Sequence, residues 1–407
     1  MHGSPGAAHA VVGAGYGDEG KGLVTDYLCQ QVYPGPTVVV RFNGGAQAGH
    51  TVTRTDGVRH VFSHFGSGAL RGVASYLSRF FVCHPLLFRD EYEALRSLGA
   101  TAPVFVDPEA MVTTPYDVMI NQALEAARAD GRHGSCGLGF GETIQREDQG
   151  DVRLRVADLA DLPRLRRRLG RIRDEYLPAR LQTLDLAPLP AQWLSDVLLE
   201  RFVADAKAFA KHVEVRPLDQ VARGRHVIFE GAQGLLLDMD YGIFPHVTRS
   251  HTGLRNVAAL ADEVGLANLE VAYVTRAYAT RHGNGPLAHE LSGVPFAGVD
   301  DPTNAPNPWQ GSQRFAWLDS DQLRAAVQAD LAHVRESRVR TTLFVTCLDQ
   351  ADAQIPVVTN GRVARHAPLA LPKLLAAAAG LDRAQGVWGP SAAHVGAREP
   401  AGAARVA

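Results

Sequence analysis

Apolar and polar positions follow two different periods along this chain. Ala10–Ala14 is a short apolar run that ends in a glycine-rich turn. Gly20–Gln31 then places Leu23, Val24, Tyr27 and Leu28 on one face at helical spacing. Pro34-Gly35-Pro36 stops that pattern, and the β-branched run Thr37–Phe42 reads as a second strand. Further buried strands are predicted at Phe80–Cys83, Val104–Val106, His226–Glu230, Leu269–Val274 and Thr342–Thr346, with helical stretches such as Tyr116–Ala129 between them. This alternation predicts an α/β fold, a mainly parallel central sheet with flanking helices.

Two longer stretches interrupt the alternation. Leu159–Pro217 keeps a helical period with many Arg and Leu, and reads as a helical insertion at about 159–217. Gly283–Gln313 is rich in Gly, Pro, Asn and Asp and reads as a long functional loop. Residues 10–390 are expected to form a single large domain, with 1–9 and 391–407 as mobile tails. No internal repeat is seen.

The composition is that of a soluble globular protein: 407 residues, 46% hydrophobic, 21% charged. A net charge of −2 provides no global field for nucleic acid or an anionic membrane, so any phosphate recognition must be local. Cys29, Cys83, Cys136 and Cys347 have no paired spacing, which fits a reducing compartment and neither a disulfide framework nor a zinc site. The first nine residues lack the pattern of a signal peptide, and no apolar run reaches the roughly 18–20 residues of a membrane span. A cytoplasmic protein is expected.

The turn after the first strand carries the candidate chemistry. Gly15-Tyr16-Gly17-Asp18-Glu19-Gly20-Lys21 has the spacing of a P-loop, with Gly22 where Ser or Thr is usual. Glycines let successive backbone N–H groups face phosphate oxygens, and the helix N-terminus that follows favours negative charge. Lys21 adds a full charge for the β- and γ-phosphates. Without the hydroxyl, magnesium needs another ligand, and Asp18 is a candidate. The second strand ends in another glycine-rich loop, Asn43-Gly44-Gly45-Ala46-Gln47-Ala48-Gly49-His50-Thr51. In a parallel sheet both loops leave the same carboxyl edge, which sets Asp18 and His50 across one site as a base–acid pair.

These segments resemble adenylosuccinate synthetases. Four more motifs follow in that family's order: Phe229-Glu230-Gly231-Ala232-Gln233-Gly234 continuing through Leu237-Asp238 and Asp240 to Pro245-His246-Val247-Thr248; Thr280-Arg281-His282-Gly283-Asn284-Gly285-Pro286; Trp317-Leu318-Asp319; and Thr346-Cys347-Leu348-Asp349. The resemblance implies that L-aspartate is joined to C6 of a 6-oxopurine nucleotide, typically IMP, as GTP is cleaved to GDP and phosphate. Asp18 would take the N1 proton, Lys21 would stabilise the transferring phosphoryl group, and His50 would stabilise or protonate the departing diphosphate oxygen. Gly17, Asp18, Glu19, Gly20, Lys21, Gly22, Gly49, His50, Thr51, Asp349 and Gly389 would hold the triphosphate. Asp18, Lys21, Gln47, His50, Ser135, Cys136, Gln233 and Thr248 would hold the acceptor nucleotide. Asp18 and the Gly49 carbonyl would bind Mg2+, and a homodimer is implied, with Arg146 the nearest match to an arginine that crosses its interface.

The sequence also departs from the family. The arginine-rich loop that clamps aspartate reads Asn307-Pro308-Trp309-Gln310-Gly311-Ser312-Gln313-Arg314, leaving Arg314 for the carboxylates. Cys347 replaces a lysine near the triphosphate's base, which opens ATP beside GTP. Gly134-Ser135-Cys136-Gly137 stands for a phosphate-holding Gly-Thr-Thr-Gly, and Gly389-Pro390 lacks a following arginine. Several changes resemble the phage branch that acts on dGMP, whereas retention of Asp18 favours a hypoxanthine-like acceptor. A nucleotide-binding paralogue without ligase activity, and a plain P-loop kinase or GTPase, are the rival readings.

Overall fold

Nine strands, each parallel to its neighbours, run through the middle of the molecule. In spatial order they are Arg383–Gly386, Val339–Thr346, Asn268–Arg276, Ala7–Gly13, His226–Glu230, Thr37–Arg41, Ala74–Leu77, Val104–Val106 and Glu214–Val215. The computed structural model describes residues 7–31, 33, 35–301, 311–335 and 338–396. Val38, Val39 and Val40 are all fully buried although successive side chains face opposite ways, so both faces of the sheet are covered. One face packs on the Lys21–Cys29 helix through Leu23, Val24 and Leu28. The other packs on the Leu254–Glu263, Ser320–Leu331 and Leu371–Ala379 helices.

The first and second strands in sequence are not neighbours. His226–Glu230 lies between them, in register with His9–Val11 on one side and Thr37–Arg41 on the other. The loops after all three strands therefore open side by side on the carboxyl edge. Two short hairpins cover that edge: His50–Thr53 with Arg59–Phe62, and Ala279–Arg281 with Arg314–Ala316. The expected long loop Gly283–Gln313 is the excursion between the two strands of the second hairpin; its residues 302–310 lie outside the described set.

The sheet differs from the expectation at both edges, where Arg383–Gly386 and Glu214–Val215 were not predicted, and in one inner strand. Phe80–Cys83 contributes only Val82–Cys83, paired with Met111–Val112 outside the main sheet. The place in the sheet belongs to Ala74–Leu77, whose Ser75 hides its polarity by accepting the Gly66 N–H through Oγ at 2.9 Å. Segment 159–217 is largely helical, but it packs its apolar side on the Pro85–Ser97 helix and ends in the edge strand Glu214–Val215. The margins expected as tails need correction where they are described. The first strand begins at Ala7, and Ser391–Gly396 folds back, with a short helical turn at Ala392–His394 and a bridge from Val395 to Val387. Residues 1–6 and 397–407 lie outside the described set. No helix among the described residues is long and apolar enough to cross a membrane.

Candidate active site at the carboxyl edge of the sheet

The first glycine loop closes around one of its own side chains. Glu19 is buried and turned inward: Oε1 accepts the N–H groups of Gly15 at 3.0 Å and Gly17 at 2.7 Å, and Oε2 accepts from Lys21 Nζ at 2.6 Å. Gly17, Asp18 and Gly20 have φ of 100°, 61° and 95°, the left-handed conformation that glycine enters freely and aspartate tolerates. A side chain at Gly234 would fall 2.3 Å from the Gly15 carbonyl and 2.5 Å from Glu19 Oε1. The third loop is thus pressed against the first, and only a glycine fits between them. The Glu19 carboxylate accepts hydrogen bonds and cannot donate to a phosphate, so of the triphosphate contacts expected at Glu19 only the backbone N–H is suited.

Gly22 has a similar cause. A Cβ there would stand 3.0 Å from the Thr51 carbonyl, 3.1 Å from His50 Cβ and 3.1 Å from Ser67 Oγ. The His50 hairpin lies directly on the helix start, so a side chain at this position would press it outward by a few tenths of an ångström. Asp18 and Gly49 line the same cavity as Lys21, His50 and Thr51. A carboxylate and a main-chain carbonyl are the hard oxygen donors that Mg2+ takes, so these residues fit that ion. One other group of potential ligands occurs among the described residues, Asp238, Asp240 and His251. There Asp238 accepts from the Thr252 and Asp240 N–H groups, and Arg255 pairs with Asp240.

His50 is held from behind. Its Nδ1 lies 2.7 Å from Glu230 Oε1, while Nε2 is buried without a hydrogen-bond partner among the described residues. Glu230 also accepts from the Ser67 N–H at 3.0 Å and from the Ser67 hydroxyl. Burial alone would raise the Glu230 carboxyl; His50, Arg41 and Ser67 more than offset it and hold it below the usual range. Burial, helped by Arg41, lowers His50 despite Glu230. The resting pair is therefore an anionic Glu230 accepting from the Nδ1–H of a neutral His50. Arg41 is itself fully buried, its Nη1 donating to the carbonyls of Ser63 at 3.2 Å and Phe65 at 3.1 Å.

Asp18 sits opposite, half-buried. Burial raises its carboxyl, but His282, Arg276 and Lys21 together bring it below the usual range. His282 Nε2 is 3.2 Å from Asp18 Oδ2. Arg276 donates through Nε to the Asp18 carbonyl at 2.5 Å and through Nη2 to Asp301 at 2.9 Å. Glu230, Ser67, Arg41, Arg276 and His282 were not singled out from sequence. Glu230 and His282 lie inside motifs that were, and a glutamate ending an otherwise apolar strand was the available signal.

The remaining expected residues spread along the same edge. Gln233 has φ 57° and a buried Oε1 with no partner among the described residues, beside Gly44 of the second loop. Gln47 lies next to Gly45, with a buried Nε2 likewise without a partner, and Thr248 is half-buried after the third loop, its N–H on the Leu237 carbonyl. Asn43 ties the second and third loops by bonds to both backbone groups of Ala232. Ser135 accepts from Asn121 Nδ2 at 2.8 Å, and Cys136 is pushed up to about 11 by burial. Asp349 is exposed beyond the Val339–Thr346 strand, next to Cys347 at φ 59°. Gly389 packs against His394, where a Cβ would lie 2.7 Å from the ring.

Two arginines are used differently from the expectation. Arg314 is engaged on both sides of its guanidinium, by Glu290 at 2.7 Å through Nε and by the carbonyls of Gly283 and Gly285 at 2.7 Å each through Nη1. Clamping aspartate with Arg314 would require it to leave Glu290. Arg146, matched to an arginine that reaches across a dimer interface, is fully buried inside its own subunit. It is bonded to Asp117, Glu147 and the carbonyls of Val112 and Val152.

With this geometry in place, comparison with known proteins is specific. A family model described as adenylosuccinate synthetase matches residues 10–367. The adenylosuccinate synthetase of Burkholderia pseudomallei is 33% identical over 338 residues, covering 80% of this chain and 74% of that one. The Paraburkholderia phymatum enzyme is 33% identical over 339 residues, with the same coverage. Among solved structures, fully ligated adenylosuccinate synthetase from Plasmodium falciparum superposes with a TM-score of 0.74 at 17% identity, covering 95% of this chain and 99% of that one. Cyanophage S-2L succinoaminodeoxyadenylate synthetase, bound to dGMP and dATP, gives 0.61 at 19% identity, covering 96% and 95%.

Proposed function

The chain belongs to the adenylosuccinate synthetase family of C–N ligases, and from that premise we propose that it joins L-aspartate to C6 of IMP or a closely similar 6-oxopurine nucleotide, with cleavage of a nucleoside triphosphate. The observation that carries this reading is the meeting of Asp18, Lys21 and His50 around one cavity at the sheet edge.

C6–O is a poor leaving group and must be activated. Asp18, ionised beside His282 and Arg276, takes the proton from N1, and the negative charge moves to O6. O6 attacks the γ-phosphorus; the O6–P bond forms as the bond to the bridging diphosphate oxygen breaks. Lys21 and the loop N–H groups stabilise the transferring phosphoryl group. Lys21 reaches it by leaving Glu19, 2.6 Å away. His50 faces the departing oxygen through Nε2. Donation from Nε2 calls for the doubly protonated ring, a form that Glu230 behind and the phosphates in front both stabilise. The amine of aspartate then adds at C6 and phosphate leaves. Bound Mg2+, held by Asp18 and the Gly49 carbonyl, would neutralise triphosphate charge. Gln233, Gln47 and Thr248 supply polar contacts for the acceptor, and the same reading takes the active assembly to be a homodimer.

The test is phosphate release that requires IMP, aspartate and triphosphate together. Asp18→Ala and His50→Ala are each expected to lower turnover by about 10²–10⁴-fold, the range for losing an acid–base group, with unchanged circular dichroism. Full activity in either variant, or hydrolysis indifferent to the purine, overturns the assignment.

Cys347 favours a second reading of the donor. It occupies the place of a lysine cation, and its half-buried thiol lies beside Thr346 and Tyr278. ATP or dATP as donor follows, and a comparison of GTP, ATP and dATP at saturating IMP decides between them.

A further inference from the structure

The support behind His50 does not end at Glu230. It continues through the 63–67 loop to a further buried carboxylate, Glu91, which the chemistry set out above leaves unused. The loop follows the Arg59–Phe62 strand, the second strand of the His50 hairpin. Its far end supplies Ser67, whose N–H and hydroxyl both reach Glu230. Its near end supplies the Ser63 and Phe65 carbonyls that take Arg41 Nη1. Among the described residues those are the only hydrogen bonds of that guanidinium, since Nε and Nη2 are buried without partners. Where the loop goes, Ser67 and Arg41 go with it, and with them the setting of Glu230 behind His50.

Glu91 holds that loop. It is buried on the Pro85–Ser97 helix, and its carboxylate accepts three successive backbone N–H groups. Oε1 takes Ser63 at 3.0 Å and Phe65 at 3.3 Å, and Oε2 takes His64 at 2.7 Å. Oε2 also accepts the Ser63 hydroxyl at 2.6 Å. Burial alone would raise this carboxyl; His60, His64 and Ser63 more than offset it and hold it below the usual range. His64 adds a second tie, its Nε2 accepting at 3.0 Å the N–H of His84, the residue that caps the same helix. The helix is itself fastened to the helical insertion, by Arg89 on Asp205 at 2.5 Å and by Phe88 against Phe209. Four donors thus converge on two oxygens. A glutamine of the same shape cannot serve them, because either way round its NH2 group faces a backbone N–H. The loop then has to shift, and His50, at the other end of the contacts, shifts with it.

We propose that Glu91 is a positioning residue for His50, acting through the 63–67 loop, Ser67 and Glu230. The inference rests on His50 being the group that serves the departing diphosphate oxygen, as set out above. It gives the helical insertion a part in the reaction, as the anchorage from which that histidine is held.

The experiment is a double-mutant cycle on phosphate release with IMP, aspartate and triphosphate all saturating, in the parent, Glu91→Gln, His50→Ala and the two combined. Glu91→Gln is expected to lower kcat about 10-fold or more, since misplacement on the scale of an ångström can cost about 10²-fold. KM for IMP and for the triphosphate stays within about 3-fold, because the loss falls on the transition state. In the His50→Ala background nothing is left to position, and the same substitution changes kcat by less than about 2-fold, as expected of residues that act as a unit. A contact that only stabilised the fold would cost the same factor in both backgrounds. Should Glu91→Gln not fold, Ser63→Ala, which removes one of the four donors and leaves the backbone in place, is read in the same cycle and by the same criteria. An unchanged kcat in the parent background, or an equal loss in both backgrounds, overturns the inference and leaves the ligase reading standing. A His50→Ala variant as active as the parent, or phosphate release indifferent to IMP, overturns both.

Discussion

His50 and Glu230 are 180 positions apart in the chain and 2.7 Å apart in space, and that pair decides what the histidine can do. A carboxylate behind an imidazole fixes its tautomer and stabilises its charged form. Glu230→Gln keeps an acceptor for Nδ1–H but removes the charge, so kcat is expected to fall about 10–100-fold with little change in KM for the triphosphate; steady-state kinetics at saturating IMP measure the split. Arg146 is the contrasting case. Its guanidinium is bonded inside the subunit at every nitrogen, so Arg146→Ala leaves Asp117 as a buried charge without its cation and Glu147 with Arg155 alone. The expected result is a loss of about 3–5 kcal/mol in urea unfolding, the range for breaking a buried ion pair, where an interface residue would instead alter the sedimentation profile. Single residues of this kind were readable only by chemical type. Sequence shows that position 50 is a histidine flanked by glycines, and it does not show which carboxylate 180 residues on will stand behind it.

At the scale of elements, the glycine loops are legible because each one encodes its own turn. Positive φ at Gly17 and Gly20 is a local demand that glycine meets. What stayed hidden is the pressure between elements. Gly22 looked like a P-loop lacking its hydroxyl, and the structure supplies the reason: the His50 hairpin lies on the helix start. Restoring the residue a standard P-loop would have is therefore harmful here. Gly22→Ser is expected to lower both the melting temperature and kcat, the latter by about 10-fold or more, since misplacement on the scale of an ångström can cost about 10²-fold. A thermal melt and a turnover assay on one preparation check it; wild-type values in both would show that the hairpin yields. The Ala74–Leu77 strand was missed for a related reason. Its polarity is cancelled by partners outside the strand, Gly66 for Ser75 and Asp107 for Tyr76, which the hydrophobic pattern of the strand itself cannot register.

For the molecule as a whole, an ionisable group between the sheet and the helices on one of its faces links several layers. Asp330, at the end of the Ser320–Leu331 helix, is fully buried. It accepts from the Leu254 N–H at 2.7 Å, the start of a second helix, and from Tyr273 of a central strand at 2.9 Å. Burial pushes its carboxyl up to about 7, against those donors. A carboxyl raised on folding binds its proton more tightly in the native state. Its contribution is therefore complete below the ordinary aspartate range near 3.8 and is lost as pH rises through about 7. Between pH 5 and pH 8 this one group should remove about 2–3 kcal/mol of stability. Urea midpoints at the two pH values in the parent and Asp330→Asn measure it, the variant showing the smaller drop; parallel curves would refute it.

The amino-acid sequence by itself determined the α/β class, most of the parallel strands and the glycine loops around Asp18, Lys21 and His50, because hydrophobic period and turn chemistry are written in neighbouring residues. Only the tertiary structure decided which strand separates the first two, which carboxylate orients His50, which histidine holds Asp18, and that Arg314 and Arg146 are spent on internal bonds. Each of those outcomes depends on groups brought together from distant parts of the chain by sheet order and close packing. A side chain's neighbours across a sheet follow from how the whole chain is wound, and no local pattern contains that.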